Sequence, residues 1–109
     1  MAKPVPTYEA LRAEYRKLWD TMTFDPGQRA VVDGAAKRIL AFRTRYQTVA
    51  AKTGVPWWWI GIVHNMEAGL SFAKHLHNGD SLQARTWQVP KGRPLAGNPP
   101  FTWEESAED

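Results

Sequence analysis

A chain of 109 residues carrying a net charge of +3 and no cysteine has room for one domain with a modest core. It excludes a disulfide framework, a thiolate nucleophile and a cysteine zinc site. The mild basic balance favours an anionic surface such as a bacterial envelope and falls short of what nucleic-acid binding asks.

The opening MAKPVPTYEALRAEY lacks the apolar stretch of a signal peptide, and no run in the chain approaches membrane-spanning length. The expectation is a soluble product made in the cytoplasm, with no membrane insertion. Six Trp are more than packing normally asks of so short a chain. They suggest a groove for sugar rings, which stack on indole faces, although filling a core is the commoner use.

Met1 to Pro6, with two prolines, reads as a flexible leader. From Thr7 to about Met22 the apolar residues Tyr8, Leu11, Tyr15, Leu18, Trp19 and Met22 fall three and four apart. That spacing predicts an amphipathic helix packing one face on a core. After a break at Thr23–Pro26, Asp25 can cap and Pro26 open a second helix running to Lys52 or Thr53 and ending at Gly54. A kink is possible where Gly34 weakens it. Its Lys37, Arg38, Arg43 and Arg45 lie mainly off the apolar stripe and read as a solvated face, with contact to an anionic polymer as the alternative.

Pro56 then opens a strongly apolar helix, PWWWIGIVHNMEAG. Trp57, Trp58 and Trp59 point in three directions, so at least one must lie near a surface. Gly61 allows a close helix contact, and His64 reads as a buried, hydrogen-bonded histidine. From Trp57 to Met66 only His64 can carry charge, so most of this helix is expected to be buried. Glu67 stands where it reaches a surface or cleft, among apolar neighbours of the kind that keep a carboxylic acid protonated. That is the requirement for a general acid. The alternative is that Glu67 only marks the solvated end of a buried helix.

Beyond Gly69 the helical pattern stops. Asn78-Gly79-Asp80 is a turn signal and Thr86–Val89 has β-type composition, so 73–89 reads as a small hairpin-like lobe walling a cleft. Thr102-x-x-Glu105 spells a capping box at a final helix start.

The strings HNMEAGLSF, HLHNGDSLQARTWQVPKGRP and NPPFTWEESAED together resemble a family of bacterial and phage lysozyme-like proteins. The match is close from Pro56 to Asp109 and general in style upstream. The resemblance implies an α+β, mainly α, lysozyme-like fold: N-terminal helices plus a β-hairpin lobe, in one domain over 1–109. It also implies a peptidoglycan-cleaving muramidase of the endolysin type, reaching the wall by assisted release, with no cofactor. Members of that family continue into a further helical half, so the expectation is either a second polypeptide completing the fold, as a partner beside peptidoglycan, or a shortened form, and the first is preferred.

Glycosidic cleavage needs an acid on the leaving oxygen and a second group for the oxocarbenium-like centre or its water. Glu67 is the candidate acid, Asp80 the candidate second carboxylate and Thr86 the candidate water holder. The Asp80-x5-Thr86 interval is similar to that of phage-type lysozymes, whereas the Glu67–Asp80 interval is longer. His75, His77, Asn78, Trp87 and Arg93 are candidate substrate contacts. His64, Glu67, His75, His77 and Asp80 also raise a metal site, but no H-E-x-x-H motif or cysteine supports one, and none is assigned. A glycan-binding module without catalysis and a lytic transglycosylase, which needs no second carboxylate, remain the alternatives.

Overall fold

The computed structural model describes residues 2–109, so the first residue of the expected leader lies outside the described residues. The chain divides after Val31 into two compact units.

The first unit holds helix α1, Tyr8–Thr21, whose N-cap Thr7 accepts a hydrogen bond from the Ala10 N–H at 3.3 Å. The helix forms as the three-and-four spacing predicts, but the first unit by itself gives it no core. None of its residues is buried, and Trp19 is 72 % exposed. A unit this small has too little apolar surface to wrap a helix, and the best its face achieves is a stack of Tyr8 on Tyr15 at 6.2 Å. A short 3-10 turn, Pro26–Gln28, follows, with the Asp25 carboxylate accepting from the Gly27 N–H at 2.9 Å.

Helix α2, Arg29–Ala41, crosses the division between the units. The single long helix expected up to Thr53 is broken, at Phe42 rather than at Gly34. Phe42 (φ −102°, ψ 15°) leaves the helical region and a new helix, α3, runs from Arg43 to Thr53. At the break the Phe42 ring meets the edge of Phe72, 4.9 Å between centroids, and α3 carries Tyr46 and Val49 into the core. Gly54, in the left-handed conformation, closes α3 as expected.

Helix α4, Trp57–Ala68, packs on α3. A side-chain carbon at Gly61 would lie 2.5 Å from Ile39 Cγ2 and 3.2 Å from Tyr46 Cε2, so this glycine permits the close crossing. The core joins Tyr46, Val49 and Ile60 to Leu82, Phe101 and Trp103 from the later segment. His64 sits inside it, fully buried, as the sequence predicts. Its Nε2 donates to the Ser71 carbonyl at 2.8 Å, and its Nδ1 accepts from the Tyr46 hydroxyl at 2.8 Å.

The final helix, α5, Trp103–Glu108, starts in a complete capping box. Thr102 Oγ1 accepts from the Glu105 N–H, and the Glu105 carboxylate accepts from the Thr102 N–H. Arg45 on α3 holds α5 by pairing with Glu104 at 2.5 Å, while its guanidinium lies over the Phe72 ring at 4.0 Å.

The protein is thus mainly helical, and the hairpin lobe expected over 73–89 does not form. Among the described residues the only β pairing is one antiparallel bridge, Lys74 to Ser81. Side chains take the bonds that a ladder would have made. The N–H groups of Trp87 and Gln88 go to a carboxylate, and Arg85 donates to the carbonyls of Pro94 and Gly97. His75 reaches the Ala84 carbonyl at 2.7 Å.

Candidate functional site

Glu67 occupies the last turn of α4, followed at once by two residues in left-handed conformation, Gly69 (φ 57°) and Leu70 (φ 64°). Leu70 is the unusual one, since a branched side chain rarely adopts that backbone, and it is buried there. The turn it makes sends the chain back across the end of α4.

Burial corrects the expectation for this helix. Only one side of α4 is covered, through Ile60, Gly61, His64 and Ala68, while Trp58, Trp59, Ile62 and Met66 face solvent. Trp57 is half-buried beneath the Arg43 guanidinium at 4.8 Å, so the three tryptophans do diverge. Glu67 itself is exposed, without the apolar enclosure anticipated for it.

The Asn78-Gly79-Asp80 turn is seated directly on this carboxylate's backbone. A side-chain carbon at Gly79 (φ 82°) would lie 2.5 Å from the Glu67 carbonyl oxygen and 3.9 Å from the Ala68 Cα. Only glycine fits that conformation and that contact together. The turn and the end of α4 therefore form one constellation.

Asp80 is 1 % exposed, and its carboxylate is fully engaged. Oδ2 accepts from the N–H groups of Trp87 and Gln88, both at 2.9 Å, and Oδ1 accepts from the Gln88 side-chain amide at 2.5 Å. Burial alone would push its pKa up. The bonds from Gln88 and Trp87, with one from Asn78, outweigh that and hold it below the ordinary carboxylate range. Thr86 is equally occupied. Its hydroxyl donates to the Pro90 carbonyl at 2.5 Å and accepts from the Arg93 N–H at 2.9 Å. Both residues, expected at the reacting centre, hold the loop.

The candidate sugar contacts divide in the same way. His75 is fully buried and ties the loop to α5, its Nδ1 lying 2.9 Å from Ser106 Oγ. His77 bonds Asp109 at 2.9 Å through Nε2 and lies 3.3 Å from Ser106 Oγ through Nδ1. Arg93 donates to the same Asp109 carboxylate at 2.6 Å. Burial raises the pKa of Asp109, but the bonds from His77, Arg93 and the Leu95 N–H win and lower it. Asn78 accepts from the Asp80 N–H at 3.0 Å and donates to the carbonyls of Gln88 and Val89 at 3.3 and 3.4 Å. Trp87 differs from all of these: the residue is 55 % exposed while the backbone beside it is clamped.

Sequence reasoning missed Gln88, Ser106 and Asp109, which bind the candidate residues to one another. The Asp80 N–H to Asn78 bond is a local turn signal, but no local signal marks a partner eight or thirty residues away. Among the described residues, no set of three or more His, Asp or Glu side chains gathers so as to hold a metal ion. No described helix is long and apolar enough to cross a membrane. No family model, no curated protein and no solved structure matches the chain.

Proposed function

We propose that this chain is the glycan-cleaving portion of a lysozyme-like peptidoglycan hydrolase, with Glu67 as the proton donor. The observation that carries the proposal is the seating of Gly79 on the Glu67 carbonyl, which joins the only accessible acid between Pro56 and Pro100 to a loop presenting an open indole. The other acid in that span, Asp80, is enclosed and hydrogen-bonded. The chemistry therefore runs on one carboxyl group. Glu67 gives its proton to the glycosidic oxygen as the C–O bond breaks, and its carboxylate then takes the proton of the group that attacks the anomeric carbon, either water or the sugar's own 6-hydroxyl. The first route leaves reducing ends and the second anhydro ends.

The resemblance in sequence adds the setting: an endolysin made in the cytoplasm and released to the wall with assistance. The second polypeptide expected beside it has apolar surface to cover. Trp58, Ile62 and Met66 are exposed on α4, and a hollow of about 170 Å³ opens between Val49, Trp59, Ile60, Val63, Leu76 and Ala107.

The test is loss of turbidity of permeabilised Gram-negative cells, with wild type and Glu67→Gln compared. Removing the proton donor should slow lysis by roughly 10²–10⁴-fold. Equal lysis by both would dismiss Glu67 as the acid. The exposure of Glu67 favours one second reading, a glycan-binding module without catalysis. That reading holds if neither form lyses cells while both sediment with purified sacculi.

A further inference from the structure

We infer that Asp80 is a positioning residue, fixing Trp87 as the stacking platform for an N-acetylamino sugar ring beside Glu67. This rests on the glycan reading above and assigns Asp80 a role other than that of a second catalytic carboxylate.

The backbone around Trp87 is pinned on every side. Before it, Thr86 donates its N–H to the Arg93 carbonyl at 2.9 Å and its hydroxyl to the Pro90 carbonyl. At Trp87 and after it, both N–H groups run to one oxygen of Asp80, and the Gln88 side chain to the other. The carbonyls of Gln88 and Val89 accept from Asn78. Yet the indole is left in water. An aromatic surface that is exposed on an immobilised strap loses little further freedom on binding, which is the property of a preorganised contact. Its flat apolar face suits the axial C–H groups of a pyranose.

Asp80 cannot touch such a ring, being 1 % exposed, so any effect it has on substrate passes through Trp87 and Gln88. Position relative to Glu67 comes from the same turn. Asn78, Gly79 and Asp80 are consecutive: the glycine rests on the Glu67 carbonyl while its two neighbours grip residues 87–89. Three consecutive residues thus link the backbone that carries the platform to the backbone at the Glu67 end of α4.

The experiment measures binding of the N-acetylglucosamine tetramer to the full chain by calorimetry, with folding of each variant checked by circular dichroism. Wild type and Glu67→Gln should bind alike. Trp87→Ala should weaken binding about tenfold or more, and Trp87→Phe should restore most of it. On sacculi, Asp80→Asn should raise KM severalfold and leave kcat within about twofold, whereas loss of a catalytic group would lower kcat by roughly 10²-fold or more. If Asp80→Asn does not fold, Gln88→Leu removes one of the donors to Asp80 and should show the same KM effect in weaker form. Trp87→Ala binding as tightly as wild type overturns the inference, as does a wild type that does not bind the tetramer. Absence of lysis with binding intact would instead count against Glu67 catalysis alone.

Discussion

Tyr46 and His64 meet at the centre of the second unit, where ring centroids of Tyr46, His64, Phe72 and Trp103 lie within 4.6–6.1 Å of one another. Burial pushes the Tyr46 hydroxyl up to about 12, despite the opposing pull of Arg38 and Arg45. It therefore stays a donor to His64 Nδ1 throughout the ordinary pH range. Tyr46→Phe keeps the ring and removes only that donor, leaving a buried acceptor unpaired. The expected cost is about 1–3 kcal/mol, read from urea denaturation; a change below about 0.5 kcal/mol would mean that the bond contributes nothing net. His64 was legible as a buried histidine because apolar residues surround it in sequence on a helix. Asp80 was not legible, since a carboxylate after Asn-Gly reads equally as a turn residue or a catalytic one. What decides is whether distant N–H groups fold onto it, and here those of Trp87 and Gln88 do.

Helix ends were readable wherever the cap is local. Thr7, Gly54, Gly69 and the Thr102–Glu105 box all stop or start helices where residue chemistry says they should. The break at Phe42 was not, because its apolar partner Phe72 lies thirty residues away, and propensity pointed instead to Gly34. The absent hairpin has a related cause. Residues 73–89 have strand-like composition, but Asn78, Asp80, Thr86 and Arg85 capture backbone groups over distances that composition does not encode.

Two glycines separate tight contact from tolerance. At Gly61 a methyl group would meet side chains, Ile39 Cγ2 at 2.5 Å and Tyr46 Cε2 at 3.2 Å, in an ordinary helical conformation, and up to about 1 kcal/mol of recovered helix propensity offsets part of that clash. At Gly79 it would meet the Glu67 backbone carbonyl at 2.5 Å in a left-handed conformation. Gly79→Ala should thus lose about 2 kcal/mol or more in urea denaturation, and Gly61→Ala clearly less. The reverse order would mean that the turn does not rest on the end of α4.

For the whole molecule, the acid limb of stability follows from four groups. Burial lowers the pKa of His64, more than its bond to Ser71 raises it. The unfolded chain therefore binds a proton more readily, and stability falls as pH drops below about 6.5. Asp80, Asp109 and Glu104 are all held below their ordinary values, Glu104 chiefly by its bond from Arg45. Their contribution is complete above about pH 4 and is lost as pH falls toward their lowered folded values. The urea midpoint should be level between pH 7 and 8, decline below about 6.5 and drop again below about 4. A midpoint unchanged from pH 7 to 5 would contradict the neutral, buried state of His64.

The proposed activity is tested most directly by digesting purified sacculi with wild type and with Glu67→Gln and weighing the soluble fragments by mass spectrometry. Wild type should release fragments cut in the glycan strand, ending in reducing or anhydro muramic acid, and Glu67→Gln at least about a hundredfold fewer. Equal release by the variant, or fragments cut only in the peptide stems, would contradict glycan cleavage by Glu67.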